Sequence, residues 1–357
     1  MSMIKESGNK ITIKEIAELA GVSIGTVDRV IHDRGRVSVE NRKKIEDILK
    51  EYNYRPNLLA RSLVSKKKHK IVCILPEYSE GDYWDSVVMG ILQAQDEIVD
   101  YNIYIEYEYF NQYDNESFVR AADVLVEKKP DAVLVSPLFK REAVVLVAKL
   151  REENVPCVFI DSDIETLEGV AYFGQHSFQS GFVGADLMAS IVRSNSSILA
   201  CKIHRDKIVK SNQIENRLLG FTTYFELYRK DVNIQTLDLF TDKINDCTRT
   251  LKEALKKNKD VSGMITFNSK VYVLADFVIQ NKIKNVSIVG YDLLEDNVKH
   301  LKDGIITNLL AQRPEKQGYL GIKALSNYLL YQKTSVGKKY LPIDILNKLN
   351  IDYYGNI

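Results

Sequence analysis

Four cysteines in 357 residues, Cys73, Cys157, Cys201 and Cys247, are too scattered to frame a disulfide-stapled fold. No two stand at the close spacing of a metal or redox pair, so each reads as a small apolar core residue. The five histidines, at 32, 69, 176, 204 and 300, show no metal-ligand spacing either. No metal and no cofactor is therefore expected. Absent too is any apolar run long enough to span a bilayer. The opening residues, MSMIKESGNK, hold no apolar stretch of the secretory kind, and a cytoplasmic protein with no membrane partner is expected. There is no G-x-G-x-x-G turn, no Walker loop and no nucleophile elbow, so a binding protein is expected and not an enzyme.

What is present is a long chain with 45% hydrophobic and 27% charged residues, the balance of a globular protein. At this length two or three domains are expected. The formal charge of +1 conceals an asymmetry. Residues 1–70 carry 16 Lys and Arg against 9 Asp and Glu (net +7), leaving 33 against 39 (net −6) for the remainder. A basic head suits a polyanionic partner, although a solvated basic arm would give the same count.

The head reads as helices. In TIKEIAELA, Thr12 stands three before Glu15, a capping-box spacing, and Ile16, Leu19 and Ala20 supply an apolar face. Gly21 can end that helix in the left-handed conformation, and Ser23 can cap the next. SIGTVDRV then lays Val27, Val30 and Ile31 inward, with Gly35 as a breaker beyond it. Ser38 caps a third helix, whose inner face is Ile45, Ile48, Leu49 and Tyr52. Two short helices joined by a tight glycine turn and braced by a third make a helix-turn-helix unit. Its second helix would enter the major groove of DNA, with Arg29 the best placed to grip a guanine. A plain three-helix bundle with an idle surface fits the same pattern.

From Ile71 the period changes. IVCILP (71–76), YIEYEYF (104–110), AVLVSP (132–137) and CVFID (157–161) read as strands parted by helical stretches. A second series follows, AYFG, SILACKI, IQTLDLF, GMITFN and SIVGYD. Strand–helix alternation without tight hairpins implies parallel α/β sheets, and two series imply two lobes. Ligands of such sheets bind beyond the carboxyl ends of strands. The polar and aromatic residues there are Glu77, Tyr83, Trp84, Ser136, Asp161, Asp163, Gln175, His176, Asn268, Asp292, Gln312 and Arg313. Amides, carboxylates and aromatic faces are what sugar hydroxyls and ring C–H patches need. Each also has a structural alternative: Trp84, the sole tryptophan, can pack a lobe, Asp161 can cap a segment and His176 can be polar lining.

The residues TIKEIAELAGVS, TVDRVIHDRGRVS and YRPNLLARSL, with RLLGF and IVGYD further on, resemble the lactose-repressor (LacI/GalR) family of bacterial transcription regulators over nearly the whole chain. The resemblance implies a helix-turn-helix domain over 1–55, a hinge helix and linker over 56–69, and a two-lobed periplasmic-binding-protein-like (type I) domain over 70–357. The N lobe is expected over roughly 70–169 plus 300–330, and the C lobe over roughly 170–299 plus 331–357. The DNA contacts implied are Thr12, Ser23, Ile24, Gly25, Thr26, Asp28, Arg29 and His32 in the head, and Asn57, Ala60, Arg61 and Leu63 in the hinge. Leu63 would wedge into the central base step of a bent operator. Asp28 and Gly25 depart from the commoner serine and larger side chain, which bears on operator sequence. In RLLGF, Arg217 occupies the place of a ligand-contacting arginine. The ligand set is then Tyr83, Trp84, Ser136, Asp161, Asp163, Gln175, His176, Arg217, Asn268, Asp292 and Gln312.

The expectation is a homodimeric repressor of carbohydrate genes. It would bind double-stranded DNA at a pseudo-palindromic operator under control of a sugar-like effector. The alternatives are a sugar-binding protein of transport without a DNA role, and a regulator answering to a protein partner or a phosphosugar, for which Lys140, Arg141, Arg217 and Arg313 leave room.

Overall fold

The computed structural model describes residues 11–31, 35, 37–52, 54, 68–164, 166–167, 171–205, 211–331 and 337–354. The chain divides into two compact units, Met1–Lys66 and Lys67–Ile357.

In the first unit, Thr12 caps α1 (Ile13–Ala20) through a reciprocal box. The Glu15 N–H donates to the Thr12 hydroxyl at 3.3 Å, and the Thr12 N–H donates to the Glu15 carboxylate at 2.7 Å. Gly21 ends the helix at φ 68°, a left-handed conformation that suits glycine. Ser23 accepts from the Thr26 N–H at 3.2 Å and starts α2 (Ile24–Ile31). Ser38 likewise caps α3 (Val39–Glu51). The core is Ile16, Ala17, Ala20, Val27, Val30 and Ile45, with Ile31, Ile48, Leu49 and Tyr54 packed on it. Two expected core residues are outside it: Leu19 is 50% exposed and Tyr52 48%. The inward arc of α1 is centred between Ile16, Ala17 and Ala20, whose small side chains let the helices approach. Tyr52 lies past the end of α3, where the chain turns back to bury Tyr54 instead.

The second unit holds two parallel sheets. The first contains β1 (His69–Pro76), β2 (Ile103–Phe110), β3 (Ala132–Val135), β4 (Cys157–Ile160), β5 (Ala171–Gly174) and β11 (Lys338–Tyr340), in the order β11-β5-β4-β3-β1-β2. The second contains β6 (Ser197–His204), β7 (Asn233–Phe240), β8 (Val261–Thr266), β9 (Ser287–Tyr291), β10 (Asn308–Ala311) and β12 (Asp344–Leu346), in the order β12-β10-β9-β8-β6-β7. Every pairing is parallel except β10 with β12. The lobes thus repeat one strand order. Their crossover helices are α4 (Tyr83–Ile98), α5 (Asn115–Glu127) and α6 (Lys140–Glu152), then α7 (Ser177–Ile191), α8 (Asn212–Tyr228), α9 (Ile244–Lys257), α10 (Tyr272–Gln280) and α11 (Glu295–Lys302). The last long helix is α12 (Pro314–Tyr331), which proline opens at a favoured first position, and Ile322 and Leu325 bury into the first lobe.

The lobe boundaries differ from those expected. AYFG and residues 338–340, both expected in the C lobe, join the first sheet as β5 and β11, and residues 308–311, expected in the N lobe, join the second as β10. A four-residue strand pairs where a neighbour offers a free edge, and nothing in AYFG itself names its sheet. The chain accordingly passes between lobes three times, at 174–177, 311–314 and 340–344. The linker expected to reach 69 also stops short, because β1 begins at His69.

Each lobe brings one helix pair together on reciprocal glycines. A Cβ on Gly90 of α4 would lie 1.9 Å from the Glu315 carbonyl oxygen of α12, and one on Gly318 2.2 Å from that of Val87. In the other lobe, Gly181 of α7 meets the Arg217 carbonyl and Gly220 of α8 meets that of Phe178, at 1.9 and 2.0 Å from the same hypothetical atoms. Backbone cannot yield as a side-chain tip can. Gly181→Ala is expected to destabilise the protein by about 1–3 kcal/mol, as overpacking does. A guanidinium chloride midpoint equal to that of the parent would contradict the contact.

Candidate functional site

The outward face of α2 presents Ile24, Gly25 and Arg29 to solvent, with Thr26 and Asp28 half-buried at its margin. Ser23 and Thr26 share a hydroxyl hydrogen bond of 2.9 Å, and Thr12 is engaged with Glu15. These hydroxyls therefore first build the helix starts and offer only their remaining capacity to a partner. His32, Asn57, Ala60, Arg61 and Leu63 lie outside the described residues.

Between the lobes of the second unit lies a cavity of about 590 Å³, a volume in the range of small-molecule sites. Of the expected ligand residues, Tyr83, Trp84, Asp161, Asn268, Asp292 and Gln312 line it. Asp161 follows β4 and Asp292 follows β9, the same position in the two repeated sheets. Both are in the left-handed region, at φ 66° and 69°. Aspartate tolerates that conformation better than most residues, and such strain gathers at functional sites. Gln213 links the two. Its amide nitrogen donates to Asp161 Oδ1 at 3.0 Å and to Gln312 Oε1 at 3.2 Å, and Gln312 donates to Asp292 Oδ1 at 2.8 Å.

Burial pushes Asp161 above the usual carboxylate range and Asp292 up to about 6, while the Arg217 guanidinium pulls both down. Arg217 itself is fully buried and lies outside the cavity lining. It donates to the Phe267 carbonyl at 2.9 Å and lies 4.0 Å over the Tyr291 ring. Its Nε and Nη2 have no hydrogen-bond partner among the described residues. Burial also raises the Tyr83 hydroxyl well above its ordinary value, so it stays a donor beside Asp161.

Four further residues expected at the ligand are elsewhere. Ser136 is fully buried and absent from the lining. Asp163 pairs with Lys338 at 2.7 Å. His176 caps α7 by accepting from the Gln179 N–H and packs on Tyr340. Gln175 donates to the carbonyls of Ala311 and Pro342, at 2.7 and 2.9 Å, inside the other two lobe crossings. Residues 175 and 176 follow a strand that ends at a crossing, which makes them hinge and not cleft. Of the basic residues weighed for a phosphate, Lys140 and Arg141 are absent from the lining and Arg313 is paired with Asp344 at 2.6 Å. Sequence reading missed Tyr113, Arg205, Gln213, Lys270 and Tyr272 on the lining. Gln213 had a signal, since it stands one helical turn before Arg217.

Residues 12–57 match the family described as bacterial regulatory proteins, lacI family, and residues 71–333 match a periplasmic binding protein domain. The HTH-type transcriptional regulator RegA of Clostridium saccharobutylicum is 34% identical over 286 residues, 79% of this chain and 82% of that protein. The chain belongs to the lacI family. Another relative, the HTH-type transcriptional regulator MalR of Streptococcus pneumoniae, is 29% identical over 172 residues, 48% of this chain. That match spans 51% of MalR, about half its length. A crystal structure from Bacteroides fragilis, described as a candidate LacI transcriptional regulator, is 37% identical with a TM-score of 0.75, covering 81% of this chain and all of that one. GanP, a glucose-galactose binding protein from Geobacillus stearothermophilus, shares the fold at 22% identity, with a TM-score of 0.70 over 80% of this chain and 99% of GanP. Among the described residues no helix is long and apolar enough to cross a membrane.

Asp292 has a consequence for stability in this lacI-family protein. Folded, it holds its proton more tightly than an unfolded aspartate, whose pKa is 3.8. The stability supplied by the neutral carboxyl is present in full below that value and is lost as pH rises through about 6. Asp292→Asn keeps an oxygen for the Gln312 amide. It is expected to melt higher than the parent above about pH 6, with the gap closing toward about pH 4. A melting-temperature gap independent of pH would refute the shift.

Proposed function

We propose that this protein is a DNA-binding transcription regulator, a repressor of carbohydrate genes, that takes a sugar-like effector between its lobes. One observation carries the proposal: a lacI-type helix-turn-helix head and a two-lobed binding domain with paired strand-end carboxylates stand on a single chain. Carboxylates and amides in planar arrays accept and donate paired hydrogen bonds to vicinal hydroxyls, and Trp84 and Tyr83 offer aromatic faces. The protein acts as a homodimer on a pseudo-palindromic operator, since one short recognition helix spans only a half-site. It works in the cytoplasm on nucleoid DNA, without catalysis. The effector favours one lobe arrangement, and the paired heads bind operator better in one arrangement than in the other. The likeness to sugar-binding proteins of transport favours a second reading, in which the cleft alone matters, but such a protein has no use for a recognition head.

Selection from random DNA by the full chain should enrich an inverted repeat, and addition of a cognate sugar should change affinity for it. Failure to enrich any sequence would exclude the regulator reading. Arg29→Ala is expected to weaken enriched-site binding by about 1–3 kcal/mol while nonspecific binding changes far less. Equal losses on both, measured by fluorescence anisotropy, would remove Arg29 from base reading.

A further inference from the structure

In the second lobe the chain leaves β6 and β8, neighbours in the sheet, toward opposite faces. This topological switch point opens a crevice at the strand ends, where ligands of such sheets bind. Arg205 is the first residue beyond β6, and Lys270 comes on the loop after β8. Asn268 stitches the two segments: its amide donates to the Ile203 carbonyl at 2.8 Å, and its oxygen accepts from the Lys270 N–H at 3.2 Å. Both cations line the cavity and converge on one ring of the facing lobe. Lys270 donates to the Tyr113 hydroxyl at 3.0 Å and lies 5.3 Å from its ring centroid, and the Arg205 guanidinium lies 5.7 Å from the same centroid.

Neither cation forms an ion pair among the described residues. The other basic residues near the lobe junction are neutralised: Lys202 by Asp238 and Glu215, Arg313 by Asp344, Lys338 by Asp163. A phenol compensates a cation only in part. The facing acids, Glu77 and Asp82, belong to the opposite wall, and Asp82 already accepts from the Ser79 N–H at 2.9 Å. The cavity therefore has two unlike ends. Its floor, Asp161 and Asp292 with two amides, accepts from hydroxyls. At its switch-point end the two charged side chains offer donors alone, since ammonium and guanidinium groups have no acceptor, and the hydroxyls of Thr241 and Ser269 beside them can donate as well. Carboxylate and phosphate are the groups that accept everywhere and match a guanidinium fork.

We infer that the effector is an anionic sugar derivative, its hydroxyls on the Asp161–Asp292 floor and its carboxylate or phosphate held by Lys270 and Arg205. This rests on the sugar-effector reading above and narrows it to a class. The test is calorimetric titration of the full chain with matched sets: glucose, glucuronate and glucose 6-phosphate, then galactose, galacturonate and galactose 6-phosphate. An anionic member should bind at least roughly tenfold tighter than its neutral parent. The uronate and phosphate arms tell which anion fits. In Lys270→Gln combined with Arg205→Gln the anion should lose that advantage over its neutral parent, both measured in the same variant, and Lys270→Arg should retain it. Added sodium chloride should weaken the anion alone. Binding of neutral sugars at equal or higher affinity overturns the inference and leaves the sugar reading standing, as does an equal loss for both ligand types in the double variant. Binding of no sugar of either kind overturns both.

Discussion

A single buried guanidinium is the counter-charge for two carboxylates that come from different lobes. Arg217 is fully buried, and Asp161 and Asp292 both feel it. Taking three charges out of solvent is unfavourable unless hydrogen bonds and geometry compensate. Compensation is visible but incomplete: one guanidinium N–H reaches Phe267, the Tyr291 ring covers its face, and two amides brace the carboxylates. The Arg217 donors that find no partner among the described residues and the raised proton affinity of Asp292 record what is left over. The arrangement is possible because α7 and α8 meet on glycine. With no Cβ on Gly181, the α8 backbone at Arg217 can lie against α7, and the side chain reaches the Phe267 carbonyl and the Tyr291 ring.

The same economy governs the hinge. Three chain segments pass between the lobes, and one buried amide, Gln175, ties the first to the other two through Ala311 and Pro342. Gln317 adds a second tie, accepting from the Asp161 N–H at 2.8 Å and donating to the Gln312 carbonyl at 3.0 Å. Crossings bound together at one edge leave rotation about that edge as the soft motion, because each lobe has its own packed core on both faces of its sheet. The amides that define the axis are therefore polar and buried, and Gln317 sets it against the cavity floor through Asp161 and Gln312.

Local signals in the sequence were faithful where the physics is local. Caps at Thr12, Ser23 and Ser38 and the glycine stop at Gly21 depend on a few neighbouring residues, and all are found where their spacing put them. The strand-end rule located Asp161 and Asp292 for the same reason. It failed for Gln175 and His176, since whether a strand end faces a cleft or a hinge depends on which sheet the strand joins. For β5 and β10 that choice is made by a distant edge. Tyr113 and Lys270 were invisible for a related reason: each matters because of a residue 157 positions away, and no window along the chain contains both.

That cross-lobe geometry bears on control. A ligand shifts an equilibrium only by its difference in affinity for the two states, so contacts confined to one lobe do nothing to the angle between them. The cavity offers contacts on both sides at two depths. Asp161 and Asp292 oppose each other across the floor through Gln213, and Tyr113 opposes Lys270 and Arg205 farther out. A ligand reaching only the floor engages the lobes near the hinge axis, where rotation changes distances least. One that also reaches the outer pair engages them where the same rotation moves atoms farthest. Differential affinity grows with that lever arm, so the outer contacts have the greater influence over which lobe arrangement prevails.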